Sequence, residues 1–290
     1  MQLTPVTMSF DTILDVIYGF SFDLLGVTID SGDLATTIKD LLSFATISNS
    51  SKFTLYSYVA DINSVAQSIG IALLTLFFMI GLIQLLTQEG VERISWERIT
   101  LKACMFFILY ALITQSMDLF ESIGSYVNSE IYGAVKNKIM TLSEAESYDI
   151  PGELYTTALE AGNIEKYLYY AVYIILAIPY NATIIKIISQ VFLRAVKILF
   201  YIMFSPIPIA MAAEEEVYRG KALTYLASFI AVCFEAVFIY IGLFIYMKGM
   251  SDLSTSNPIT CVIQILFLNG LFSALIGVSS QLSQTFFGRG

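Results

Sequence analysis

Residues 69–86 read IGIALLTLFFMIGLIQLL, an uncharged block inside a longer stretch free of Asp, Glu, Lys and Arg from Asp61 to Glu89. A helix rises 1.5 Å per residue, so about 20 apolar residues cross the roughly 30 Å of hydrocarbon in a bilayer. Lipid offers the backbone no hydrogen bonds, so a single such block must satisfy its own amides as a helix. This block is therefore predicted as the first transmembrane span and sets the fold class: an all-α, polytopic integral membrane protein. Working outward, 15 uncharged residues separate Lys102 from Asp118, and residues 99–119 span with Lys102 snorkelling to the interface. Nineteen separate Lys166 from Lys186, interrupted by Pro179, and 16 separate Lys197 from Glu214, interrupted by Pro206 and Pro208. Residues 222–247 carry one charge, Glu235, and residues 253–288 carry none. That makes six hydrophobic segments.

The third and fourth segments admit two readings. Lys186, Gln190, Arg194 and Lys197 are spaced i, i+4, i+8, i+11, which places them on one helical face. Either a cytosolic turn lies near 186–197 with spans on both sides, or residues 182–204 form one helix whose basic stripe faces water or a partner. The expected count is five or six spans.

Composition agrees. The chain has 290 residues, 57% of them apolar, against 13% charged, where a soluble domain carries about 25% charge. Histidine is absent, which excludes His-ligated metals, His-based triads and His proton relays. Cys104, Cys233 and Cys261 lie in apolar stretches without CxxC spacing and read as packing thiols. No HExxH, GxSxG or Walker loop occurs, so neither an enzyme activity nor a cofactor is expected of this chain.

The net charge of −9 is unevenly placed. Residues 1–64 hold two basic against seven acidic residues, and residues 118–166 hold three against nine; residues 167–290 hold seven against five. The acidity therefore does not exclude a nucleic-acid path through the membrane half. Short basic loops mark the cytosolic side. Arg93, Arg98 and Lys102 make residues 87–102 cytosolic, as do the basics of 186–197, and the two acidic segments are external. The N-terminus is then outside, and five spans put the C-terminus inside, six outside. The first basic residue is Lys39, so the start lacks the basic region of a secretory signal. Phe10, Ile13, Leu14, Ile17, Tyr18, Leu24 and Leu25 recur at helical spacing, with Asp11, Asp15 and Ser21 between them. This predicts an external amphipathic helix, lying on the membrane surface or against partner subunits. Trp96 and the Tyr167, Tyr169, Tyr170, Tyr173 group suit interfacial belts. In the external loop Ser143 and Glu146 stand at capping-box spacing before Pro151. The expected domains are 1–64, the N-terminal segment; 65–119, the first transmembrane hairpin; 120–166, the large acidic external loop; and 167–290, the C-terminal multispan region.

A carboxylate at mid-span costs about 2.5–3.5 kcal/mol to insert and marks a functional position by default. Glu235 is that residue, and it pairs with Arg194 or Lys197, lines an aqueous lumen, or carries protons. Pro206 and Pro208 remove two backbone donors and read as a helix end or a hinge beside a cavity. Glu214, Glu215 and Glu216 follow as a solvated loop or an oligomeric cation ring. In the last span Gly270 and Ala274, and Ser273 and Gly277, are small residues four apart, a spacing that favours close helix packing.

The run Arg194-x-x-Lys197-Ile198-Leu199-Phe200-Tyr201, then Ser205-Pro206-Ile207-Pro208-Ile209-Ala210, then Gly220-Lys221-Ala222, then Ala231-Val232-Cys233-Phe234-Glu235-Ala236, resembles the TrbL-like (VirB-six-type) polytopic subunit of type IV secretion, or conjugation, machines. The versions on Gram-positive conjugative elements are the most similar. The likeness covers residues 194–244 closely and the rest by layout. It implies a multi-pass bacterial plasma-membrane channel or scaffold subunit in a homo-oligomeric ring, a pentamer in the family. The implied partners are secretion ATPases, a VirB-eight-like subunit and membrane lipids, with single-stranded DNA or relaxase passing nearby. The family has no catalytic residues to carry over. The alternatives are a small-solute or ion transporter using Glu235, and a membrane-embedded assembly factor.

Overall fold

In a computed structural model of the chain, the structure describes residues 21–24, 27–30, 42–48, 54–89, 96–133, 163–213, 217–251 and 258–287. Strands β1 (Ser21–Leu24) and β2 (Val27–Asp30) pair antiparallel, Ser21 opposite Asp30. Helices follow: α1 (Phe44–Ile47), a 3-10 turn (Thr54–Tyr56) leading into α2 (Ser57–Glu89), α3 (Trp96–Thr114), and α4 (Ser116–Tyr126), which runs into a π turn (Val127–Tyr132). Then come α5 (Asn163–Phe204), α6 (Pro206–Met211), α7 (Val217–Ser251) and α8 (Pro258–Phe287).

Two expectations change at once. Ser21 and Leu24, placed in the N-terminal amphipathic helix, lie in a strand, where Phe22 and Leu24 alternate with polar neighbours at the period of two that a ladder needs. The rest of that helix falls outside the described residues, as do Ser143, Glu146, Pro151 and the loop from 134 to 162. Leu119, the last residue of the expected first hairpin, lies within α4.

Among the described residues four helices are long and apolar enough to cross a membrane: Thr54–Thr87, Asn181–Phe204, Gly220–Tyr246 and Ile263–Phe287. A fifth span exists if α3 and the helix Ser116–Glu130, bent by 69° at Gln115, count as one. The six-segment reading fails because the third and fourth segments are one helix. At 42 residues, α5 is about 63 Å long, roughly twice the hydrocarbon thickness. No cytosolic turn separates Lys186 from Lys197.

The chain divides into two units. The first comprises Met1–Leu42, Ala134–Phe192 and Val237–Ser279. In it Tyr246 stacks on Phe272 at 4.6 Å and its hydroxyl donates to Asn269 Oδ1 at 2.9 Å. Gly242 and Gly249 lie against the side chains of Phe272 and Leu268. The second unit comprises Ser43–Gly133, Leu193–Ala236 and Ser280–Gly290. Here α2 buries Val59, Asn63, Ala66, Gly70, Leu74 and Leu85, a face at three- and four-residue spacing. Leu74 joins Leu109, Ile113 and Ala210 in a core formed by α2, α3 and α6. Phe120 packs on Phe229 at 4.8 Å and on Tyr225, and Phe44 lies on Gly124, where a Cβ would collide with its ring. The outward faces of α2 and α3 are apolar too, with Leu76, Ile83, Phe107 and Ile108 exposed. Exposed apolar area on this scale suits contact with lipid tails rather than water.

Candidate functional site

The second unit concentrates its buried polar groups where α5 ends. Pro206 has no N–H, so the carbonyl of Ile202 loses the partner that a continuing helix would supply. Three donors replace it: Asn63 Nδ2 at 2.8 Å, the Ser205 hydroxyl at 2.9 Å and the Ser205 N–H at 3.4 Å. Because Ser205 N–H turns to Ile202, the Tyr201 carbonyl is left over, and the Tyr225 hydroxyl donates to it at 2.8 Å. Asn63 Nδ2 also reaches the Met203 carbonyl at 3.3 Å. Asn63, 2% exposed, is aimed by Gln67, whose Nε2 donates to Asn63 Oδ1 at 2.9 Å and to the Thr114 carbonyl at 3.3 Å, beside the bend at Gln115. Pro206 then opens α6 at the first helical positions, where a missing N–H costs nothing. The close seat of α6 on α2 requires Gly70, where a Cβ would stand 2.9 Å from the Pro206 carbonyl oxygen.

One turn and more upstream on α5 lies the second feature. Arg194, 2% exposed, donates through Nε to the Val232 carbonyl at 3.0 Å and through Nη2 to the Cys233 carbonyl at 3.2 Å. Ser283 donates to the neighbouring Ala231 carbonyl. Three consecutive carbonyls of α7 thus accept from outside their own helix, which their second lone pairs allow. Glu235 follows directly, 2% exposed, with Lys197 and Arg194 as the cations acting on it. An intramembrane Arg held by backbone carbonyls is one solution to its insertion cost.

The basic stripe is exposed at one end and buried towards the other. Arg194 is buried, Lys197 and Gln190 are half-buried, and Lys186, though exposed, donates to the Ser273 hydroxyl in the first unit. No family model, no curated protein and no solved structure matches this chain. Function is accordingly argued from these contacts.

Other expected residues are placed as follows. Pro179 lies within α5, which continues through it. Glu214, Glu215 and Glu216 lie outside the described residues. Gly270, Ala274 and Gly277 are exposed, and among the described residues a Cβ at Gly270 or Gly277 would meet open space. Cys233 is buried, while Cys104 faces outward rather than into a core. Among the described residues no group of three Cys, Asp or Glu side chains is disposed to hold a metal ion. Sequence reasoning missed Asn63, Gln67 and Tyr225. The signal available was weak: two amides four apart at the edge of an apolar run, one helical turn from each other.

Proposed function

We propose that this chain is a plasma-membrane channel or scaffold subunit of a type IV secretion (conjugation) apparatus, helping DNA or protein cross the membrane within an oligomeric ring. The observation that carries the reading is that the segment resembling TrbL-like subunits, residues 194–244, contains both the broken helix at Pro206 and the Arg194–Lys197–Glu235 cluster. Arg194 is tied to two fixed backbone carbonyls there, which favours a rigid framework over a solute-transport site. Five spans with an external N-terminus place the C-terminus in the cytosol, beside secretion ATPases. A VirB-eight-like subunit and further copies of the chain complete the assembly, with a ring of five by analogy with the family.

Deleting the gene in a donor strain is expected to abolish transfer to recipients while leaving growth unchanged, with transfer restored by the wild-type copy. Transconjugant numbers unaffected by the deletion would overturn the proposal. In intact cells Ser147→Cys is expected to react with a membrane-impermeant thiol reagent, as an external loop requires.

A further inference from the structure

A cleft in the second unit lies between α2, α3 and the residues following α6. It is lined by Leu74, Phe77, Phe78 and Gly81 from α2, by Lys102, Met105, Phe106 and Leu109 from α3, and by Ala213. The two helices contribute residues seven apart in each case, Leu74 to Gly81 and Lys102 to Leu109, so the cleft runs about 10 Å along the pair. Its walls are apolar and aromatic, Phe78 and Phe106 packing at 4.8 Å. One group in it is charged. Lys102, half-buried, donates to the Gly81 carbonyl at 3.1 Å, which pins its ammonium at one end of the cleft. The opposite end is closed by the buried side chains of Leu74 and Leu109, part of the α2–α3–α6 core. Arg98 stands one turn nearer the start of α3 on the same face, while Glu97 is about 140° around the helix from Lys102. Trp96, 82% exposed, begins α3 about 9 Å from Lys102 and anchors this end at the headgroup level.

We infer that this cleft is a binding site for an anionic phospholipid, with the phosphate on Lys102 and an acyl chain laid along Phe78, Phe106 and Met105. The charge selects the headgroup: an ammonium held at the mouth of an apolar slot complements a phosphodiester with no compensating cation of its own. A zwitterionic lipid brings its own positive charge to that position. The occupant is a lipid rather than a soluble anion because most of the lining is hydrocarbon and aromatic, and a free phosphate would leave it empty. The inference stands apart from the secretion reading and is tested on purified protein without reference to transfer.

Full-length protein, delipidated in detergent micelles, is titrated with dioleoyl phosphatidylglycerol or dioleoyl phosphatidylcholine, and bound lipid is counted by native mass spectrometry. One phosphatidylglycerol is expected to bind in preference to phosphatidylcholine, and Lys102→Gln is expected to lower that preference about fivefold. Lys102→Arg keeps the charge and is expected to retain it. Met105→Trp fills the slot and is expected to weaken both lipids alike, which separates the acyl seat from the headgroup contact and serves where Lys102→Gln does not fold. Equal affinity for the two lipids, an unchanged preference in Lys102→Gln, or unweakened binding in Met105→Trp would overturn the site. Displacement of phosphatidylglycerol by millimolar inorganic phosphate would mark a free-anion site and equally overturn the lipid assignment.

Discussion

Helix α5 meets proline at Pro179 and again, just past its end, at Pro206, and the two encounters end differently. At Pro179 the helix continues, and the Thr183 hydroxyl donates to the Pro179 carbonyl at 2.8 Å, one turn along the same helix. At Pro206 the helix ends at Phe204, and donors arrive from elsewhere in the chain, Asn63 from α2 and Tyr225 from α7. A second proline two residues on, Pro208, removes a further N–H and closes off any resumption of the α5 ladder. The difference teaches that a proline in a membrane helix acts through its neighbours. At Pro179 the carbonyl left without its helical donor is that of Ile175, one turn back, and the rod runs on. Where buried amides and hydroxyls converge, the backbone breaks and is held broken.

Three substitutions probe that difference, each read as the free energy of unfolding in mixed micelles. Arg194→Met acts on the C-terminal region of α5 most severely. It removes the donor to two α7 carbonyls and one of the cations acting on buried Glu235, so a loss of about 3 kcal/mol or more is expected. A loss below ~1 kcal/mol would mean that Lys197 alone compensates Glu235. Asn63→Leu leaves the Ile202 and Met203 carbonyls short of a buried donor and is expected to cost about 1–3 kcal/mol. Were it neutral, Ser205 alone would suffice to hold the break, and the contrast with Pro179 would rest on proline count. Thr183→Val should change stability by no more than ~0.5 kcal/mol, since its bond duplicates what the helix already provides. A larger loss there would show that Pro179 too depends on outside help.

The span pattern was legible from charge-free runs, because hydrocarbon admits little else, and so was the helix end at Pro206. At Lys186 and Lys197 the sequence left two readings open, and the single helix is the one the structure has. In one reading those charges were membrane boundaries, yet the fold carries them along one helix, with Lys186 donating to a serine hydroxyl and Lys197 half-buried. Spacing placed the basic residues on one face but carried no information about which helix that face would meet. Asn63 stayed invisible for the same reason: its acceptor is 139 residues away, and no local pattern records a contact of that range. The small residues of α8 illustrate the converse. Their spacing fits close packing, but among the described residues nothing lies within 4 Å of where a Cβ would stand on Gly270 or Gly277.

Gln67 gives the second unit a property that belongs to neither of its bends alone. Its amide touches the Thr114 carbonyl beside the 69° bend and also orients Asn63, which holds the carbonyls at the end of α5. The two joints are therefore not separate degrees of freedom. A change at the first bend acts on the Gln67–Thr114 contact, and through the same amide on Asn63 at the second. Such a pair is thermodynamically linked, each joint biasing the other by the same free energy, and a single turn of α2 serves as their common axle.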